Sequence, residues 1–210
     1  MLYTYLIILT CVALVGSLTF GRVNKVVKPL LILVVYTAIH EWLVHSGLLP
    51  QNYSPYWLYA GISVSLYLEF MRRSIHHAWT KITLAVFSIA FCLAGIYFAL
   101  FAANSFPSQF VIIGIAFIVF GCLLVLYSIL QNITDQPISK NPIFIAIAAI
   151  LIYQCVFFTY LGCLSFLMSN DYLNEVITKV HKWASIIYYA ILGFVFYLSI
   201  KNSGKLIPHE

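Results

Sequence analysis

Seven apolar stretches, at 2–20, 29–48, 55–71, 79–102, 109–130, 142–168 and 181–200, fill most of a 210-residue chain and leave only short polar connections. Each approaches or exceeds the roughly 20 residues that a helix rising ~1.5 Å per residue needs to cross a ~30 Å hydrocarbon layer. The pattern predicts an all-α, polytopic bundle of seven transmembrane helices, forming a single domain over 1–210. The stretches are continuous runs of Leu, Ile, Val, Phe and Ala, without the alternation over about ten residues that marks barrel strands. Charged residues make up 8% of the chain, against about 25% in an ordinary soluble domain. No connection is long enough to fold alone, so no tethered kinase, nuclease or hydrolase domain is expected, and function belongs to the bundle or its rims.

Orientation follows from the basic residues. Arg22, Lys25 and Lys28 lie between the first two spans, Arg72, Arg73 and Lys81 around the third connection, Lys140 in the fifth, and Lys201 and Lys205 after the last span. The connections around 47–54 and 103–108 have none, and only Lys179 and Lys182 break the alternation. The positive-inside rule then predicts an outside amino terminus and a cytoplasmic carboxyl terminus, in a multi-pass protein of the cell inner membrane. The net charge of +5 reflects that topology and attraction to anionic headgroups. The lipid bilayer is the expected partner, and nucleic acid is not. The chain opens without Lys or Arg before Arg22, unlike a cleavable signal peptide, so the first span is expected to remain. Five cysteines, all inside spans and without CxxC spacing, read as small apolar packing residues.

Small side chains predict where helices approach one another. In the fourth span Ala85, Ser88, Cys92, Gly95, Ala99 and Ala102 recur at spacings of three and four, a stripe that admits a neighbouring backbone and predicts a central fourth helix. The fifth span is poor in polar residues and is expected to face lipid over much of its surface. Residues 171–180 have one apolar and one polar face, which predicts a surface amphipathic helix or an extension of helix seven.

The sharpest polar signal is His40-Glu41-Trp42-Leu43-Val44-His45 in the second span. An ionisable group at membrane depth is costly and faces the bundle interior. Counted from Pro29, Glu41 lies ~18 Å and His45 ~24 Å along the helix, in its outer half. Thr37, Glu41 and His45, spaced by four, are expected to form one polar stripe, with His40 rotated away and stacked over Tyr36. The string is one residue longer than the zinc-protease pattern HExxH, so its histidines cannot share a metal on one face. The structural reading is a Glu and His neutralising each other one turn apart. The functional reading is a Glu41 and His45 site that holds a ligand or metal or relays a proton, completed from another helix by His181, Glu175 or Asp171 on the same outer side. Gln154 in the sixth span is a further polar candidate, with interhelical hydrogen bonding as its structural alternative. Glu69 is explained by ion pairs to Arg72 and Arg73, three and four residues on. Arg72, Arg73, His76, His77 and Lys81 form a basic cytoplasmic rim that anchors the bundle, and could dock lipid or a partner protein. Tyrosines and tryptophans near span ends read as interfacial anchors.

Known seven-helix families can be compared residue by residue. A retinal protein needs a Lys in the middle of the seventh span, which this chain lacks. The progestin-receptor and ceramidase type needs an HxxxH pair in a late helix, and here only His181 is present. Lys28-Pro29-Leu30 resembles a lysoplasmalogenase helix start, but no intramembrane Gly-Asp pair accompanies it. Pro50-Gln51 is a bare dipeptide at the wrong helix end for a PQ-loop transporter. The sixth span opens Asn141-Pro142-Ile143-Phe144 and continues to Ile152-Tyr153, and Glu69-Phe70 closes the third. In these features the chain resembles functionally unassigned small seven-helix bacterial inner-membrane proteins. Some of these look like sensor modules associated with signalling systems, which by analogy implies a sensory role.

The leading expectation is a sensory or partner-regulating module with an outward-facing polar cavity near Glu41 and His45 and a membrane or cytoplasmic protein partner. The alternatives are a small-solute or ion transporter or channel, and an intramembrane metal- or haem-dependent enzyme using His40 or His45. No cofactor and no metal set is specified by the sequence.

Overall fold

Hydropathy places the helices where the structure has them. The computed structural model describes residues 2–49, 52–101, 105–131, 140–167 and 171–201, with side chains for all of these except Leu2, 163–167 and 171–174. Among the described residues the chain is all-helical: α1 (Leu2–Leu18), α2 (Lys28–His45), α3 (Ser54–Ser74), α4 (Ala78–Phe101), α5 (Ser108–Gln131), α6 (Pro142–Leu167) and α7 (Asp171–Lys201). Four of these contain segments long and apolar enough to cross a membrane: α4, α5, Pro142–Gly162 of α6 and Glu175–Lys201 of α7. Of the other three, α1 is apolar but has 17 residues, while α2 and α3 carry ionisable and tyrosine side chains that dilute their apolar character. Pro50-Gln51 lies outside the described residues, as does the side chain of Cys163.

Local chemistry sets the helix ends. Asn141 Oδ1 accepts a hydrogen bond from the Ile143 amide at 2.9 Å, capping α6, and Pro142 occupies the first helical position, where a missing N–H costs little. At the far end of α2, Gly47 adopts φ +70°, and the Leu48 amide bonds back to Leu43 O at 3.2 Å. That left-handed turn stops the helix at His45, short of the predicted 48, because glycine alone carries φ > 0 without a side-chain clash. At the other extreme, α7 runs unbroken from Asp171. The amphipathic segment 171–180 is therefore the beginning of the seventh helix and not a separate one.

The helices pair in a closed cycle, α1 with α2, α2 with α3, α3 with α5, α5 with α6, α6 with α7 and α7 with α1, and α4 lies outside this ring against α3. The expectation of a central fourth helix is corrected by this arrangement. Its small-residue stripe does bring a backbone close: a Cβ on Gly95 would stand 2.8 Å from Gly61 Cα and 3.0 Å from Trp57 O. Ser65 Oγ donates to Ser88 O at 2.7 Å, Ser88 Oγ to Ser65 O at 3.0 Å, and Ser54 Oγ to Ala99 O at 2.8 Å. A second face of α4 sets Phe87 and Phe91 against Phe117 and Phe110 of α5, and the remaining surface carries exposed Ile82, Val86, Ile89, Leu93 and Leu100, so the stripe itself serves one seam. On α5, Gly114 faces Val64 and Gly121 faces Met71 of α3, while Ile113, Phe120, Leu123 and Tyr127 are exposed. Its polar-poor surface is thus divided between an interior face and an apolar outer one.

The ring has two unlike ends. One carries Arg22, Lys25, Lys28, Arg72, Arg73, Lys81, Lys140 and Lys201 and is called the basic end below. There the Asn24 amide donates to Ser199 Oγ at 3.0 Å and Arg73 Nη1 donates to Lys25 O at 2.9 Å, tying the α1–α2 connection to α7 and α3. Next to it the core is apolar: Leu9, Leu30, Leu68, Met71, Cys122, Ile150 and Leu192 are each fully buried, and every ring helix contributes. The other end is hollow.

Candidate functional site

Inside the ring, the half remote from the basic end holds a cavity of about 330 Å3, within the range of small-molecule sites. All six ring helices reach it. Its wall includes Tyr5 of α1, His40 and Glu41 of α2, Tyr56, Tyr59, Ser63 and Tyr67 of α3, Ile115 of α5, Tyr153, Gln154 and Phe157 of α6, and His181, Lys182, Ser185 and Tyr189 of α7. Phe106 and Pro107, just before α5, close over its side. One turn further along each ring helix the apolar layer begins, so the cavity has a floor. Tyr67 and Tyr188 share a hydrogen bond at 2.9 Å on that level.

The α2 wall is a single helical face. Leu33, Thr37, His40 and Glu41 follow the i, i+4, i+7, i+8 rule. Thr37 Oγ1 and the Tyr59 hydroxyl lie 3.1 Å apart, which fastens α2 to α3 behind the wall. The His40 ring stacks on Tyr59 at 4.3 Å, and Tyr36 stacks on Tyr59 at 5.6 Å. Tyr59 is thus stacked with both rings, and the expected His40–Tyr36 stack is corrected: His40 stacks on Tyr59 of α3. His45 lies elsewhere: it is exposed, edge-on to Tyr3 at 5.7 Å and to Trp42 at 6.2 Å. The expected Thr37, Glu41 and His45 stripe is therefore corrected. A helix turns ~100° per residue, so eight residues drift ~80°, enough to carry His45 off a face on which His40 and Glu41 flank Thr37.

On the opposite wall, Tyr153, Phe157 and Tyr160 of α6 recur at i, i+4 and i+7. His181 of α7 stacks against all three, at 6.0, 5.3 and 4.8 Å, with interplanar angles no greater than 29°. Tyr153 also stacks on Tyr188 at 4.4 Å. This aromatic ladder was not anticipated from the sequence. Its signal was the matching offset of Tyr153, Phe157, Tyr160 on one helix and His181, Ser185, Tyr188 on the next.

The polar chemistry of the wall is unequal. Both ring nitrogens of His40, Ser63 Oγ, Gln154 Oε1 and His181 Nδ1 are buried without a hydrogen-bond partner among the described residues, and all four residues line the cavity. His40 is 7% exposed and Gln154 3%. An unpaired buried polar atom costs on the order of 1–3 kcal/mol, so a wall carrying several suits an occupant with polar groups of its own. Glu41 lies among the hydroxyls of Tyr5, Tyr59 and Tyr153. Among the described residues its carboxylate makes no ion pair, whereas Glu69 and Glu175 both do. Among the described residues no three His, Cys, Asp or Glu side chains come together in a metal-binding group, and His40 and His45 point to different surroundings.

The basic-rim residues lie at the other end. Glu69 receives Arg72 Nε at 2.6 Å and Arg73 Nε at 2.6 Å, the ion pairs their spacing predicted. His76 and His77 are exposed and Lys81 is half-buried. The candidates thus fall into two groups: His40, Glu41, Gln154 and His181 at the cavity, with Thr37 behind it, and the rim residues across the apolar layer. No family model, curated protein or solved structure matches this chain.

Proposed function

We propose that this chain is a seven-helix integral membrane sensory module of the cell inner membrane. All seven helices cross the bilayer, with the amino terminus and the cavity outside and the basic end in the cytoplasm. The cavity takes a small ligand, and the basic rim of Arg72, Arg73, His76, His77 and Lys81 presents the occupied state to a membrane or cytoplasmic partner. The observation that carries this reading is a cavity enclosed by six helices, with unpartnered buried polar atoms on its wall and an apolar floor to which every one of those helices contributes. A site with walls of that kind binds. A floor of that kind gives a polar solute no way through, which favours sensing over a transporter or channel. The resemblance to small seven-helix inner-membrane proteins associated with signalling points the same way.

The reading predicts coupling between the two ends. Ser63→Trp fills the cavity, and hydrogen exchange of the full-length protein in nanodiscs is compared with wild type. A sensor shows altered protection at 19–27 and 72–81, near the basic end, as well as around the substitution. Unchanged exchange at the basic end refutes the coupling. Saturable flux of a polar solute into proteoliposomes, abolished by Glu41→Gln, would replace sensing with transport.

A further inference from the structure

We propose that the cavity is a site for a small organic cation, an amine carrying N–H donors on an apolar body. The proposal rests on the sensory reading in taking the cavity as a ligand site, and it adds the chemical class of the ligand. Three observations point to a cation. First, Glu41 brings a carboxylate to the wall, and among the described residues no Lys, Arg or His comes within ion-pair distance of it. Second, Gln154, 3% exposed, has its carbonyl oxygen Oε1 unpartnered, which adds a neutral acceptor from the facing helix. Third, two of the wall tyrosine hydroxyls are turned to protein, Tyr59 to Thr37 at 3.1 Å and Tyr67 to Tyr188 at 2.9 Å, and Tyr5 stands beside Tyr189 and Glu41 and Tyr153 beside Ser185, while Ser63 Oγ is a buried hydroxyl left open to the occupant. What these tyrosines leave to an occupant is ring surface, and an aromatic face attracts a cation within about 6 Å of its centroid.

The remaining wall groups fit the same ligand. His40 has both ring nitrogens unpartnered and His181 one, and a neutral imidazole offers an acceptor nitrogen to an N–H donor. Lys182 is the single Lys or Arg on the wall. It forms no ion pair with Glu41, and its charge opposes a bound cation. Glu41, Gln154 and the tyrosine faces form the recognition set, and Lys182 weakens it.

The test uses full-length protein in nanodiscs and three probes of matched shape and different charge: 2-phenylethylamine, 2-phenylethanol and phenylacetate. Binding is read by titration calorimetry. The amine is expected to bind at least tenfold more tightly than either of the others. Glu41→Gln and Gln154→Leu are each expected to weaken amine binding by about tenfold or more, the scale of a lost hydrogen bond to a charged group. Lys182→Met is expected to tighten it. Gln154→Leu removes a buried unsatisfied acceptor, so it supplies a folded variant should Glu41→Gln melt early. Equal affinity for amine and alcohol, preference for phenylacetate, no amine binding, or unchanged affinity in both Glu41→Gln and Gln154→Leu would each overturn the proposal. These outcomes are separable from failure of the sensory reading. If Ser63→Trp alters exchange at the basic end while no amine binds, the cation falls and sensing stands. If amines bind as expected but the basic end is unresponsive, the ligand class stands and sensing falls.

Discussion

Substituting Gly61 by alanine tests the seam on which α4 hangs. The new Cβ would lie 2.8 Å from both Gly95 Cα and Phe91 O, atoms of a helical backbone that cannot swing aside. Restoring carbon contacts to about 3.5 Å requires the two helices to part by roughly 0.7 Å. The hydroxyl bonds that flank this point are Ser65 to Ser88 O at 2.7 Å, Ser88 to Ser65 O at 3.0 Å and Ser54 to Ala99 O at 2.8 Å. The same displacement takes them to about 3.4–3.7 Å, at or past the limit of a useful bond. Overpacking a tight contact costs about 1–3 kcal/mol, and interhelical hydrogen bonds in membrane proteins average ~0.6 kcal/mol each. Less the gain of up to about 1 kcal/mol that alanine brings as the better helix former, a loss of about 2–4 kcal/mol is expected for Gly61→Ala, read by reversible unfolding in mixed micelles. Gly162→Ala is the control: a Cβ there meets nothing within 4 Å, and alanine is the better helix former by up to about 1 kcal/mol. If Gly61→Ala is as stable as Gly162→Ala, the seam is not close-packed and the placement of α4 is wrong.

Two further expectations follow from geometry. Tyr67→Phe or Tyr188→Phe alone leaves the other buried hydroxyl without its 2.9 Å partner and should cost about 1–3 kcal/mol, whereas the double variant should cost less than the sum. An additive double variant in the same unfolding assay would show that the pair is not coupled. For orientation, single-cysteine variants Asn52→Cys and His77→Cys in a background without the native cysteines should label from opposite sides. Asn52→Cys is expected to react with an impermeant maleimide in intact cells and His77→Cys only after lysis, and the reverse pattern would invert the topology.

How much of this was readable in the chain depended on the kind of force involved. Helix positions were legible because burial in an apolar medium acts on runs of about 20 residues, and errors of one or two residues leave such runs intact. The end of α2 was missed because it is set by a single glycine, Gly47, with φ +70°. The stripe Ala85 to Ala102 showed that something comes close to α4, but not how many faces do. That depends on the neighbours of α3, which holds α2 and α5 as well. At the site, Glu41 and His181 could be placed at the same end from topology alone. Which of His40 and His45 turned inward could not, since both lie within a helical turn of Glu41, and the rings of Tyr59 and Tyr56, arriving from α3, select His40. The aromatic ladder was hidden for a similar reason: nothing in the sequence separates Tyr153 from Trp183 until the pairing of α6 with α7 puts one inside and the other, 52% exposed, outside.

The apolar layer beneath the cavity also acts as an electrical insulator. In the seven-span arrangement proposed above, with Leu9, Leu30, Leu68, Met71, Cys122, Ile150 and Leu192 buried across the bundle, the transmembrane voltage would fall mainly across that layer and little of it along the cavity above. A charge carried through the whole field exchanges about 2.3 kcal/mol per 100 mV. A charge that stops beside Glu41 traverses only the shallow part of the field and exchanges a fraction of this. With the orientation and ligand proposed above, occupancy of the site follows the concentration of ligand outside, nearly unaffected by how strongly the cell has energised its membrane.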